Sequence, residues 1–594
     1  MALRVSAVKN NTFSTLVRLK AGTISGLVVK QLPKRGVNMS NIKRRVETLT
    51  EYGRVSREAL MKGAGFSSEQ LKRPFIGVVN GYGELSPGAN YLNQITKKVK
   101  AGITAAGGTP VEFFVSATCV SMPHGGENYR WTLPYRDITA SYIEAVAEIN
   151  YFDALVMVTV CDDAIPANCM AAARLGLPTI IIPGGSMAAA DYNGRPMDWT
   201  HMIHKYGELQ INAITPEEFA EIHDCAICGG GNCCGVATGN TGAIFTEALG
   251  LTLPGAGTVH GHGQEILDIG WRSGEQIMKL LEKGLGTGQI ITDKALENAV
   301  RVFLAIGGST NSLLHIMAIA HDAGLELKLE TFDRLSRETP HITNVAPAGE
   351  YNTSDLHDAG GVQAVMKELA PKLHLDVLTA TGITLGENLA RAVVRDRRVI
   401  WPLDKPLEPE GGIAVLKGNL APNGAIVKQA AVPKNMFEFR GPARVFNNEV
   451  AATTALVDQK IKAGDVVVIN YQGPKGDPGM RQTGTILANL LVGMGLIDKV
   501  ALITDGRASG TCQGLLVLHL APEAAVGGPL AAVRDGDPIE IDIVARRIKL
   551  LLPENQIKAR LEEWSPPKRI EKGFLSIYQK LVQQANKGAV LDVD

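Results

Sequence analysis

Between residues 75 and 190, short apolar runs alternate with segments of helical pattern, and few folds accept that alternation. "FIGVV" is followed by the amphipathic "YLNQITKKVKAGITAAGG"; then come "VEFFVS", "ITASYIEAVAEI", "ALVMVTV", "ANCMAAARLG" and "TIIIP". Apolar runs without polar alternation are strands buried on both faces. Joined by helices of ten or more residues, they predict a parallel sheet covered on both sides. Ligands in such sheets bind beyond the carboxyl ends of the strands. Here those ends carry Asn80 to Glu84 after the first run and Cys161, Asp162 and Asp163 after the third, in "VCDDAIP". Read without context, either aspartate could simply cap the next helix.

Residues 215–375 read as mainly helical, and "LEPEGG" at 407–412 reads as a boundary. Beyond it, "GIAVLKG", "AIVKQAAV", "ARVFNN", "DVVVINY", "VALITDG" and "DPIEIDIVARRIKLLL" are β-like segments punctuated by Gly, Pro and Asp, closed by a helical "FLSIYQKLVQQAN". The fold class expected is α/β: a basic N-terminal segment over 1–45, an α/β domain over 46–405 and a β-barrel-like domain over 406–594. Lys plus Arg equal Asp plus Glu at 60 each, which gives no electrostatic case for nucleic acid or an acidic membrane surface. No apolar stretch approaches the roughly 20 residues that span a bilayer. The first 46 residues hold ten Lys or Arg and no acid, a composition that suits a mitochondrial transit peptide or a basic tail.

Four of the eight cysteines, Cys225, Cys228, Cys233 and Cys234, fall in "CAICGGGNCC". In a large chain without a secretory signal such a cluster points to metal binding or catalysis before disulfides. Zinc needs four N or S ligands, whereas an iron–sulfur cluster could take local thiolates plus a distant one such as Cys161. "LITDGRASGTCQG" places Asp505, Arg507 and Ser509 on a glycine-flanked turn after an apolar run. The chain has neither a P-loop nor a dinucleotide fingerprint.

Read together, "VSMPHGGENYRWTLPYRDI", "VCDDAIPANCMAAARLGLP", "CGVATGNTGAIFTEALGLTLPG", "GPKGDPGM" and "TDGRASG" resemble the dihydroxyacid dehydratase and phosphogluconate dehydratase family of iron–sulfur dehydratases, over roughly residues 45–590. The resemblance implies a homodimer with an iron–sulfur cluster, 2Fe-2S or 4Fe-4S, acting on a small hydroxy acid. One iron would polarise the leaving hydroxyl while a serine takes the C2 proton, giving a 2-oxo acid. Residue by residue, Cys161 and Cys233 match cluster ligands, Cys225 and Cys228 match the "C-P-x-C" of one branch, and Ser509 matches the catalytic serine. The family's "P-C-N" motif reads Pro87-Gly88-Ala89 here, which leaves the remaining ligand open.

The implied magnesium site is altered. Of its ligands only Asp162 is retained; Asp163 stands where the family has a carbamylated lysine, and Thr118 and Gln482 replace two acids. A hard divalent cation depends on the charge of its ligands, so it would bind far more weakly here. The expectation is a dehydratase with altered magnesium use and an open choice of substrate; the alternatives are a pseudoenzyme with a regulatory or scaffold role, or a zinc protein.

Overall fold

The computed structural model describes residues 37, 42–566 and 571–592. The expected transit peptide lies almost wholly outside these residues.

Four parallel strands form the first sheet: β1 (Phe75–Asn80), β2 (Thr109–Phe114), β3 (Ala154–Val158) and β4 (Thr179–Ile182), in the order β2-β1-β3-β4. Successive residues alternate between two cores. Phe75, Val79, Leu155, Met157 and Ile181 enter one, while Ile76, Val78, Val156, Val158 and Ile182 enter the other. At β1, β3 and β4 both faces are buried, which is why those strands read as unbroken apolar runs, whereas the edge strand β2 is only half-buried and ends on the exposed Phe114. Helices Leu92–Ala105 and Gln264–Lys283 pack together on one face, and Thr132–Ile149 and Ala164–Leu175 pack together on the other. A small hairpin, β5 (Ala190–Tyr192) and β6 (Arg195–Met197), follows β4, and a run of helices then extends from Trp199 to Leu389.

The remaining strands are β7 (Ala414–Gly418), β8 (Ala421–Val427), β9 (Glu438–Phe446), β10 (Val466–Ile469), β11 (Ala501–Thr504), β12 (Leu516–Val517), β13 (Pro538–Asp542) and β14 (Arg547–Leu550). They pair in the order β12-β11-β10-β9-β13-β14-β7-β8. A bridge between Ile426 of β8 and Leu518, just past β12, brings the ends of this sheet together. The expected barrel-like arrangement is therefore present. Contacts join the described residues into one compact unit.

Three details depart from the sequence reading. The last long β-like segment is two strands, β13 and β14, folded into an antiparallel hairpin. The final helix stops at Leu581, where the chain turns extended and Val582 pairs with Leu591. Strands β9 to β12 run parallel, so they need crossovers, supplied in part by helices Glu449–Val457 and Thr485–Gly493. "TILANLLVG" escapes a periodicity reading because it has no polar face: it is wedged between the barrel and helix Trp199–Gln210.

Candidate active site

Every loop that leaves a carboxyl end of β1, β2 or β3 arrives at one cleft, as the sheet topology demands. Ser86 and Gly88 come from the loop after β1, Cys119 from the loop after β2, and Cys161 from the end of β3. Cys233 joins them from the glycine loop before helix Thr238–Ala248, and Ser509 from the turn after β11. The structure thus brings Cys161, Cys233 and Ser509 onto one cleft from widely separated positions. Cys225 ends helix Pro216–Cys225 and bonds back to the Ile222 carbonyl, and Cys228 lies exposed in the next loop; neither lines the cleft.

The backbone at Cys161 is left-handed, with φ of 74°, a strained conformation for a residue with a side chain. Its N–H donates to Asn232 Oδ1 at 2.8 Å, and the Asn232 amide donates in turn to the carbonyls of Pro183 (3.1 Å) and Gly185 (3.0 Å). One side chain thereby ties the end of β3, the end of β4 and the cysteine loop together. Cys161 Sγ lies 3.1 Å from the Ser86 hydroxyl. Burial pushes the Cys161 thiol well above its ordinary range, and pushes Cys233 up to about 12. Burial raises Cys119 too, against hydrogen bonding from the Ser121 and Met122 backbone and the Ser121 hydroxyl. Cys119 and Cys233 raise Cys161 electrostatically and Cys119 raises Cys233, so joint ionisation of these sulfurs calls for a compensating cation.

Beneath the cleft lies a buried polar knot. Asp163 holds the N-cap position of helix Ala164–Leu175, yet its side chain makes no capping bond. It faces Arg507 instead, with Nη1 to Oδ1 at 3.3 Å, both groups being wholly buried. Arg507 also donates to the Met480 carbonyl (2.6 Å), Thr132 Oγ1 (2.7 Å) and Asn311 Oδ1 (2.9 Å). Asp162 accepts Asn311 Nδ2 on one oxygen and Gln482 Nε2 on the other, each at 2.7 Å. Tyr129 donates to Gln482 Oε1 at 3.1 Å, which fixes that amide with its NH₂ toward Asp162. Burial raises the carboxyl groups of Asp162 and Asp163, and the Arg507 guanidinium opposes the shift.

His315 enters the same knot. Its Nε2 is 3.3 Å from Asp162 and 3.5 Å from Asp163, and one ligand atom of each residue lies within 4.8 Å of the others. Burial lowers His315 to about 3, so the ring is neutral and joins by a hydrogen bond rather than an ion pair. Ser509 is held by its neighbours: its N–H donates to Thr485 Oγ1 (2.9 Å), and its Oγ accepts the Thr511 N–H at 3.4 Å. Lys428 is buried behind the turn and donates to the Gly510 carbonyl at 3.0 Å; burial brings its ammonium down to about 7.

Sequence reasoning missed Cys119, Asn232, Asn311, His315 and Lys428 as members of this region. For Cys119 a signal existed, since it follows the second apolar run just as Cys161 follows the third. Asn311 and His315 sit in helix Thr310–Asp322, whose local pattern is that of ordinary core; Asn232 lies in the glycine loop between the paired cysteines, and Lys428 lies just past β8, with nothing local to mark it.

A model of the dihydroxy-acid/6-phosphogluconate dehydratase N-terminal region matches residues 73–388, and one of the C-terminal region matches residues 398–589. Among curated proteins, the chain is similar to the dihydroxy-acid dehydratase of Methanococcoides burtonii, with 44% identity over 90% of this chain and 98% of the relative. It is likewise similar to that of Methanothrix thermoacetophila, with 46% identity over 91% of this chain and 98% of the relative.

Proposed function

We propose, on the premise that the chain belongs to the dihydroxy-acid/6-phosphogluconate dehydratase family, that it eliminates water from a 2,3-dihydroxy acid to give a 2-oxo acid, with an iron–sulfur cluster and without a resident magnesium ion. The observation that carries this reading is the cleft itself, where thiols from separate segments meet the hydroxyl of Ser509.

The donor set fits a cluster. The thiols that face the cleft are soft ligands, desolvated enough that a bound cation would be their natural partner. When bound, the cluster supplies an electron-poor iron that makes hydroxide a better leaving group. The protein supplies the rest. Ser509, as the alkoxide, takes the proton from C2 as the 3-hydroxyl leaves, and the enol so formed tautomerises to the 2-oxo acid; the Thr511 N–H and the Lys428 ammonium behind the turn favour the negative charge on the serine. Thr485 holds the serine backbone in place. The C2 proton is only weakly acidic, so base and leaving group must be aligned at the same time.

The same residues do not fit magnesium. Both Asp162 oxygens receive amide N–H donors, and Asp163 faces a guanidinium. Those donors take one lone pair of each Asp162 oxygen and repel a cation seated among them, and Asp163 Oδ2 is the carboxylate oxygen left without a partner among the described residues. In place of a cation, the chain holds its two carboxylates with Gln482, Asn311 and Arg507. The substrate carboxylate then has to be met by protein donors, which supports a substrate preference different from that of magnesium-dependent relatives.

Anaerobic purification, iron and sulfide determination, and assay of a panel of dihydroxy acids for 2-oxo acid formation test the reading. Turnover that chelation of magnesium leaves unchanged is the expected result. A cluster without turnover on any dihydroxy acid points to a regulatory protein, and zinc in place of iron removes the proposal. We further propose a homodimer, which the family resemblance implies, and mitochondrial targeting, which the basic, acid-free composition of residues 1–45 supports; light scattering tests the first and the location of a fluorescent fusion to residues 1–45 the second.

A further inference from the structure

We infer that Cys119 is a cluster ligand, completing with Cys161 and Cys233 a three-thiolate seat drawn from the loop after β2, the loop after β3 and the glycine loop. The inference rests on the iron–sulfur reading above and concerns which residues hold the cluster. Iron–sulfur clusters need several cysteine thiolates. Of the cysteines singled out by sequence, Cys225 and Cys228 do not line the cleft, which leaves Cys161 and Cys233. Cys119 is the third thiol on that lining, and its side chain is partly accessible.

The loop after β1 cannot contribute a thiol, although its Ser86 hydroxyl lies against Cys161. β1 lies between β2 and β3, so its loop reaches the cleft between Cys119 and Cys161. It presents Gly88 there, and a Cβ on Gly88 would stand 2.3 Å from the Gly231 carbonyl oxygen. The two strips of backbone are hydrogen-bonded together, Gly230 N–H to Pro87 O at 2.9 Å and Gly231 N–H to Gly88 O at 3.1 Å. Any side chain at 88 therefore requires this pairing to open. Closure against the β1 loop leaves the flanking loops to supply sulfur, and each does so at the carboxyl end of its strand. The barrel side of the cleft offers the hydroxyls of Ser509 and Thr511 and no thiol among the lining residues. The buried Cys234, beside Cys233 in sequence, is absent from the lining and serves as the control.

The test compares wild type, Cys119→Ser and Cys234→Ser after anaerobic reconstitution with ferrous iron and sulfide. Iron and sulfide per chain, the visible spectrum and the electron paramagnetic resonance spectrum of the reduced protein are measured. Cys119→Ser is expected to lose at least half its iron and sulfide, or to hold a cluster with a shifted resonance spectrum, while Cys234→Ser matches wild type. A second measurement needs no variant. In wild type, Cys119 should resist alkylation by iodoacetamide while the cluster is present and react once a chelator has stripped the iron, as read by peptide mass. If Cys119→Ser does not fold, judged by circular dichroism, the alkylation result decides. A wild type that takes up no iron removes both this inference and the reading beneath it. A wild type with a full cluster, together with Cys119→Ser unchanged in iron and resonance spectrum or Cys119 freely alkylated in the loaded protein, overturns the inference alone.

Discussion

Replacing Gln482 by glutamate inverts the electrostatics of the buried knot while changing almost no volume. The Gln482 amide now donates to Asp162 Oδ2 at 2.7 Å and accepts from Tyr129. A glutamate keeps the acceptor for Tyr129 but sets a second carboxylate oxygen against Asp162. At that separation two full charges would repel by about 6 kcal/mol even at an effective dielectric of about 20. The molecule escapes by taking up a proton. At pH 7, protonating a glutamate of ordinary pKa, about 4.3, costs about 4 kcal/mol at 1.36 kcal/mol per unit; at pH 5 it costs about 1 kcal/mol. Because the introduced group has a raised pKa in the fold, stability is lost as pH rises. The variant in chelator should be destabilised by about 4 kcal/mol at neutral pH and far less at pH 5. Millimolar magnesium should return part of that loss, about 2.7 kcal/mol at a hundredfold excess over its dissociation constant. Thermal unfolding at one fixed scan rate, with chelator or magnesium, reads the difference. Equal stabilisation of wild type and Gln482→Glu by magnesium would refute the reasoning, since it would mean that a cation already shares Asp162 with the amide.

Ser509→Ala should lower turnover by about 10² to 10⁴, the range for a lost general base, while iron and sulfide content stay at the wild-type level; loss of the iron along with the activity would instead make Ser509 structural. Arg507→Met leaves Asp163 buried without its cation and should destabilise by about 3–5 kcal/mol, with Asp163→Asn in the same chain recovering part of it in denaturant titrations. Glu449 is raised to about 8, first by burial, so it carries a proton in the fold where the unfolded chain does not. Its contribution to stability is complete below about 4.5 and disappears as pH rises through 8, and Glu449→Gln should remove up to about 1.4 kcal/mol per pH unit of that slope. Parallel stability curves for wild type and Glu449→Gln between pH 5 and 8 would contradict a protonated Glu449.

Local sequence sufficed wherever a single element carries its own signature. Period and length marked the parallel sheet, because burial on both faces demands unbroken apolar runs such as "ALVMVTV". The same rule put Cys161, Asp162 and Asp163 at a ligand-binding strand end, and the motif in "TDGRASG" singled out Ser509 before any contact was known. Tertiary structure alone decided which distant groups meet. No pattern in "GMRQTG" says that Gln482 aims its amide at Asp162, nor does the helix bearing His315 announce the buried knot, or the lone cysteine of "TCVSM" the cleft. Asp163 holds an N-cap position and still turns to Arg507, 344 residues away, because a buried carboxylate gains more from a guanidinium than from a helix end. Periodicity is a property of neighbours along the chain. Coordination and charge pairing belong to neighbours in space, and only the packed layers bring those neighbours together.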